Sequence, residues 1–200
     1  MTNNVREDVT MKSPSSAAIR LLRRFVGDRS GIGAVEFAII VPILLMIYIT
    51  SFELTIGFSV AKRATNAAGS IADIVTQKNT VDKPYLATMN DVSAAVLAPY
   101  VATGAKLKIS GIKIDPTGKP TYLWSWNQDN GRPYTNGATA SVPDDMKTPN
   151  SFLVRAEVTV PHTLLMFMPN FMPNTLNTIN INRDYYFTRR QGTEVLCPTC

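Results

Sequence analysis

An uncharged apolar run near the N-terminus constrains the fold of this chain more than any other feature. Phe37 to Phe52 is 16 consecutive residues without a charge, and the apolar character extends back to Ile32, interrupted by Glu36. The 21 residues from Ile32 to Phe52 suffice, at about 1.5 Å per helical residue, to cross a hydrocarbon core about 30 Å thick. The run therefore predicts one transmembrane helix, with a buried core helix as the alternative.

The charges on either side of this run predict its orientation. Residues 1–31 carry six Lys or Arg against three Asp or Glu, which is +3 of the chain's +5, whereas Lys62 and Arg63 are the nearest basic residues beyond it. Because basic flanks stay in the cytoplasm, we expect the N-terminus inside and the C-terminal part outside. The basic residues then lie in a short leader without a fold, which argues against nucleic acid as a partner.

The rest of the chain is patterned as a small α+β domain. Ala-rich residues 61–75 have helical spacing and predict that the membrane helix continues as a long rod, and a second helix is expected over residues 83–100. The apolar parity changes within residues 107–114, so a bulge is expected at Ser110-Gly111. The next strand is expected to have three aromatic residues on one face, Tyr122, Trp124 and Trp126. Two later strands are expected, a half-buried one at 152–160 and a last one at 179–187. Short strands joined by turns favour an antiparallel sheet covered by helices.

Glu36 is the most informative residue, because a carboxylate in an apolar span must be paired, neutralised or functional. A glutamate that snorkels or is protonated near the interface is the purely structural alternative. Its context is Gly31, four residues, then Glu36-Phe37, between a basic leader and an apolar helix. This pattern resembles the processing site of prepilins and pseudopilins of tight-adherence (Tad, Flp-type) pili, a subclass of type IV pili. Residues 28–45 are similar to the TadE-like family specifically, and residues 183–197 are similar to that family's closing strand.

The resemblance implies a type IV pilin-like fold and a non-enzymatic minor pilin or pseudopilin that helps to assemble or initiate adhesive pili. It implies that the prepilin peptidase cuts after Gly31 and leaves Ile32 as the new N-terminus. Glu36, with Phe37 beside it, would then pair with a free α-amine and fix the subunit's register, while Pro42 would bend the helix where subunits pack. The implied partners are other pilins and pseudopilins, the prepilin peptidase and the inner-membrane assembly platform, besides the lipid bilayer.

These expectations divide the chain into three parts. Residues 1–31 are a cytoplasmic basic leader, residues 32–53 a transmembrane helix in the inner membrane, and residues 54–200 an extracytoplasmic, periplasmic α+β domain. The leader and the exported domain are both longer than those of a major Flp pilin. The resemblance therefore points to a minor pilin or pseudopilin.

A CxxC motif, Cys197-Pro-Thr-Cys200, keeps a second function open, that of a membrane-anchored extracytoplasmic thiol-disulfide protein. Zinc would need two further ligands, and the chain has one histidine, His162. Outside the cytoplasm a structural or intermolecular disulfide is the preferred interpretation. A third alternative is a bitopic binding protein that is never cleaved, which has no use for the spacing of Gly31 and Glu36.

Two further segments resemble metal sites. Residues 164–173 are rich in Met and Phe, and Met166, Met168 and Met172 have the thioethers that Cu(I) prefers. Packing, contact with lipid or contact with a partner is the preferred interpretation of that patch. Residues 127–131 resemble a calcium loop without its closing Glu, which predicts a turn. We therefore expect no catalytic residue, metal or cofactor.

Overall fold

The computed structural model describes residues 31–100, 103–164, 178–189 and 192–200. The predicted leader except Gly31, and the Met- and Phe-rich patch except Leu164, lie outside the described residues. Two compact units divide the chain, Met1–Ile49 and Thr50–Cys200. The elements within the described residues are α1 (Ile32–Thr76), α2 (Lys83–Leu97), β1 (Lys106–Ile114), β2 (Pro120–Asn127), a short 3-10 turn (Asp144–Met146), β3 (Phe152–Thr163) and β4 (Thr178–Thr188).

α1 is one helix of 45 residues with Pro42 inside it. It is long and apolar enough to cross a membrane, and its most apolar window of 18 residues is unburied. Within the second unit its sequence becomes amphipathic, because one side is buried and made largely of alanine. The buried stripe is Val60, Ala64, Ala67, Ala68, Ile71, Ala72 and Val75. The predicted continuation of the membrane helix into an Ala-rich helix is confirmed.

The four strands form an antiparallel sheet in the order β2-β1-β3-β4. The stripe of α1 shares one apolar core with three residues of α2 and with one face of the sheet. The α2 residues are Leu86, Met89 and Leu97, and the largest side chains from the sheet are Trp124 and Trp126. α2 begins after the N-cap Asp82, whose carboxylate accepts from the Tyr85 N–H at 2.8 Å. The predicted α+β fold, a long apolar helix and a small antiparallel sheet, is confirmed.

β3 alternates as predicted, with Phe152, Val154, Ala156, Val158 and Val160 buried and Arg155, Glu157 and Thr159 only partly buried. The opposite face of the sheet is also covered around Leu153, which is fully buried. Ile112, Ile114, Tyr122 and Leu153 form a second, smaller core with Ala140 and Val142 of the β2–β3 connection. The polar side chains of β3 on this face lie next to the second core. Arg155 and Glu157 are 16% and 18% exposed and pair at 3.4 Å.

Two tyrosine hydroxyls hold the β2–β3 connection on this second face. Tyr134 donates to Glu157 Oε1 at 2.7 Å, and Tyr186 donates to the carbonyl oxygen of Ser141 at 2.9 Å. Burial raises the pKa of Tyr186 to about 12, and burial together with the bond to Glu157 raises the pKa of Tyr134. Both phenols therefore stay protonated donors at neutral pH.

The β-bulge in the pair β1–β2 lies on β2, whereas it was predicted at Ser110-Gly111 on β1. Gly111 pairs with Trp124 and Ile112 pairs with Tyr122, which leaves Leu123 of β2 as the extra residue. The register shift falls beside Gly111 as expected, but the bulge belongs to β2. Because the extra residue reverses the parity of β2, Tyr122 enters the second core while both tryptophans enter the first. The prediction of three aromatic residues on one face is wrong for this reason.

Gly111 is a position where the sheet tolerates no side chain. A Cβ at this residue would meet the indole of Trp124 and would lie 2.7 Å from Phe152 Cζ. That indole donates from Nε1 to the carbonyl oxygen of Val195 at 2.7 Å in a buried site. We expect Gly111→Ala to lower the free energy of unfolding by about 2–4 kcal/mol, from overpacking and from the displaced hydrogen bond. Tryptophan fluorescence of the full chain during urea unfolding in detergent would measure the change.

The matched control is Gly57→Ala, because a Cβ at Gly57 meets nothing within 4 Å. Gly57 lies inside α1, where alanine is favoured over glycine, so the control variant is expected to be neutral or slightly stabilised. Equal unfolding midpoints for Gly111→Ala and the unaltered chain would contradict the described packing of Trp124.

Candidate processing and assembly site

The predicted cleavage bond lies at the start of α1. Ile32 is the first residue of the helix, and both Gly31 and Ile32 are exposed. Among the described residues, and apart from the adjoining backbone of the helix, nothing lies within 4 Å of where a Cβ would be at Gly31 or at Gly33. Small, exposed glycines on both sides of Ile32 leave this backbone sterically open.

Glu36 and Phe37 follow within the second turn of α1. The side chain of Glu36 is exposed, and Phe37 is 69% exposed. Residues four apart share one side of a helix, so Glu36 lies on the side of Ile32. Within the described residues no ion pair involves Glu36. A carboxylate in this apolar segment thus has its charge available for pairing.

The surface around this carboxylate is apolar and exposed along the first unit. Its exposed large side chains are Ile32, Val35, Phe37, Ile39, Ile40, Ile43, Leu44, Leu45, Met46, Ile47 and Tyr48. Pro42 is exposed among them and lies within the helix without ending it. Such a surface is compatible with lipid or with other apolar helices, but not with water.

The two cysteines lie in a tail that is tied to the second unit at several points. A disulfide joins Cys197 and Cys200, and Cys200 is buried. Val195 is fully buried, and Leu196 exchanges backbone hydrogen bonds with the segment between the helices, to Asn79 at 3.0 Å and from Val81 at 2.8 Å. The tail is therefore part of the core rather than an exposed arm.

The residues within and beside the disulfide loop bind two other elements. The hydroxyl of Thr199 accepts from the N–H of Lys83, the first residue of α2, at 3.0 Å. Arg132 of the β2–β3 connection donates to the carbonyl oxygen of Cys200. Redox-active CxxC motifs lower a thiol pKa by placing an exposed cysteine at a helix N-terminus, whereas here a threonine occupies that end of α2. The thiol-disulfide alternative is therefore not favoured.

A contact between Glu53 and His162 was absent from the sequence-based prediction. Glu53 Oε1 lies 3.1 Å from His162 Nε2, and the two side chains are 8% and 15% exposed. Both residues belong to the unit Thr50–Cys200. His162 was expected as a strand-end residue, and it lies one residue before the end of β3. It is the chain's single histidine, which is the one signal that singles it out in the sequence.

Metal chemistry finds no support in the described part of the chain. No group of three or more His, Cys, Asp or Glu is present there that could hold an ion. The calcium-like run forms a turn, in which Asn127 Oδ1 accepts from the Gly131 N–H at 2.7 Å and Asn130 Oδ1 accepts from Trp126 at 3.0 Å. These side-chain oxygens accept hydrogen bonds within the turn.

Comparison with protein families gives a match at the N-terminal helix. A family model described as "TadE-like protein" matches residues 31–73. No curated protein and no solved structure matches the chain. The matched segment starts at the glycine of the predicted cleavage bond and includes Glu36 and Pro42, whereas residues 183–197 lie outside it. The match confirms the predicted resemblance to the TadE-like family over residues 31–73.

Proposed function

We propose that this protein is a minor pilin or pseudopilin of a Tad (Flp) pilus, which acts in the assembly or initiation of adhesive pili. The observation that carries the proposal is a TadE-like segment in which a lone exposed carboxylate lies on an exposed apolar helix. Pilins associate through such helices. The proposed role is structural, as is general for the TadE-like pilin family, and requires no catalytic residue.

The first step of the proposed mechanism is removal of the leader. A membrane prepilin peptidase cuts the bond between Gly31 and Ile32. The small side chains at Gly31 and Gly33 leave room for the backbone in an active site. The exposure of Gly31 and Ile32 at the start of α1 supports the proposal, because a peptidase needs backbone that it can reach.

The second step is pairing of the new N-terminus with Glu36. Cleavage creates an α-amine at Ile32, one helical turn from Glu36, on the same subunit or on a neighbour. Pairing neutralises a carboxylate that is otherwise costly in an apolar environment. Because the pair forms at one height along the helix, it fixes the axial register of a subunit, with Phe37 packing beside it and Pro42 allowing a bend.

The proposed topology follows from charge. Residues 1–31 hold the excess of basic residues and stay in the cytoplasm, so that the sheet domain enters the periplasm. The proposed partners are other pilins and pseudopilins, the prepilin peptidase and the inner-membrane assembly platform. A bitopic protein that only displays its domain would share the anchor, but it would make no use of Gly31 and Glu36.

Deleting the gene for this protein tests the function. We expect cells without the protein to lose surface pili, measured by electron microscopy and by the amount of major pilin in sheared fractions, because initiation requires every component of the assembly complex. The full chain supplied in trans should restore them. Immunogold labelling of sheared pili then distinguishes a fibre or tip subunit from a membrane component. Undiminished pili in the deletion strain would contradict the proposal.

A further inference from the structure

Large apolar side chains are exposed at one end of the second unit. On α1, Phe52 is 52% exposed, Leu54 59% and Phe58 75%, and on β4 Ile179 is 51% exposed. All four lie in the unit Thr50–Cys200. They are named here the apolar collar. Isolated exposed apolar residues need no explanation, but a group of large ones marks a contact surface.

The contact between Glu53 and His162 brings the helical and strand parts of the collar together. Ile179 is the partner of His162 in the β3–β4 register, so their side chains are neighbours on the same side of the sheet. His162 in turn lies 3.1 Å from Glu53, which is flanked in sequence by Phe52 and Leu54. Phe52, Leu54 and Ile179 therefore border one buried polar contact, and Phe58 adjoins Leu54 one turn further along α1.

The exposed surface of α1 carries no charge along the collar. Between Glu36 and Lys62 the sequence has one Asp, Glu, Lys, Arg or His, namely Glu53, and its side chain is 8% exposed and lies against His162. Lys62 is exposed, whereas Arg63 is directed at α2, where it donates to the carbonyl oxygen of Val96 at 3.3 Å. Lys62 is thus the first exposed charged side chain on α1 after Glu36.

This uncharged surface is longer than a membrane span needs. Residues 37–61 comprise 25 positions, whereas about 20 apolar residues cross a typical hydrocarbon core. Counted from residue 37, the surplus of about five positions includes Phe58, and Leu54 lies one turn before it on the same helix. Phenylalanine and leucine are the side chains that amphipathic helices insert at the boundary between headgroups and acyl chains, and lysine suits the phosphate level.

We propose that the apolar collar is a lipid-contact surface that seats the sheet domain in the outer headgroup layer of the bilayer. The membrane boundary on α1 then lies at Lys62 rather than at residue 53. The contact with His162 keeps the Glu53 carboxylate away from lipid, where an exposed charge would be costly. Continuity with the membrane-spanning run favours lipid as the occupant of the collar over a second copy of the chain.

Nitroxide accessibility tests the proposal on the full chain in vesicles of phosphatidylcholine and phosphatidylglycerol. The labelled variants are Phe58→Cys and Ile179→Cys, with Ser70→Cys on α1 and Thr188→Cys on β4 as matched controls on the same elements. Labelling without reductant keeps the native disulfide between Cys197 and Cys200 intact. At positions 58 and 179 we expect collisions with oxygen, which concentrates in lipid, to exceed those with a water-soluble nickel complex severalfold. At positions 70 and 188 we expect the reverse.

Two results would overturn the proposal. Preferential collision with the nickel complex at positions 58 and 179 would place the collar in water. Exclusion of both reagents, with dipolar broadening between labels, would mean that a second copy covers it. Because cysteine variants can misfold, the unaltered chain is also irradiated with a diazirine phosphatidylcholine. Adducts located by fragmentation at residues 54–58 and 179 support the collar, and their absence, with residues 37–52 labelled, rejects it. Neither readout depends on pili or on leader removal.

Discussion

Glu36→Ala is expected to leave the protein in the membrane and to remove it from pilus assembly. Alanine is less costly than a carboxylate in an apolar span, so insertion is retained or improved. What is lost is the partner of the Ile32 α-amine, and an unpaired charge in a low-dielectric contact costs about 3–5 kcal/mol. We therefore expect assembly to fall by at least about 100-fold. Immunoblots of membrane and sheared fractions, together with pilus counts, measure both effects.

Two comparison variants separate charge from packing at this position. Glu36→Gln keeps the size of the side chain without its charge and is expected to fail like Glu36→Ala. Ile40→Ala removes a side chain of similar size one turn further along α1, where the residue is exposed and apolar, and is expected to assemble nearly normally. Normal piliation by Glu36→Ala would show that the carboxylate does not set the register.

The helices of this protein could be predicted because their signals are local. The uncharged run and the Ala-rich spacing that follows it both belong to α1, Ile32–Thr76. The second helix, expected over 83–100, ends at Leu97. Pro99 disfavours the α conformation at the residue before it, so the helix ends ahead of this proline. Alternation likewise located all four strands.

The faces of the sheet could not be predicted fully, since they depend on pairing between strands. The parity change within β1 suggested a bulge there, but β1 is regular and supplies residues to two cores. The extra residue, Leu123, lies across from it on β2. A one-residue shift moves every later side chain to the other face, and local sequence does not say which of two paired strands carries it.

The candidate site divides in the same way. Gly31 and Glu36 are close in sequence, so a motif could single them out as candidates. Glu53 and His162 are 109 residues apart, and only the packing of β3 beside α1 brings them into contact. The role of the CxxC tail is also a tertiary property, because it rests on contacts of Thr199 with Lys83 and of Trp124 with Val195.

Cleavage after Gly31 is the second large effect that we expect. The proposed mechanism needs a free α-amine at Ile32, and an uncleaved chain has an amide there, which cannot neutralise Glu36. Gly31→Leu is expected to block cleavage, because a large side chain beside the bond hinders entry of the backbone into the active site of the peptidase. Ala38→Leu makes a similar enlargement inside α1 and serves as the control that is still cleaved.

Intact mass of the purified protein tests the central claim most directly. Protein from cells that have the prepilin peptidase should begin at Ile32 and lack residues 1–31, whereas protein from cells without the peptidase should retain them. The Gly31→Leu variant should have the uncleaved mass in both backgrounds. Retention of the leader in both strains by the unaltered chain, or an N-terminus other than Ile32 in the peptidase-positive strain, would contradict the account.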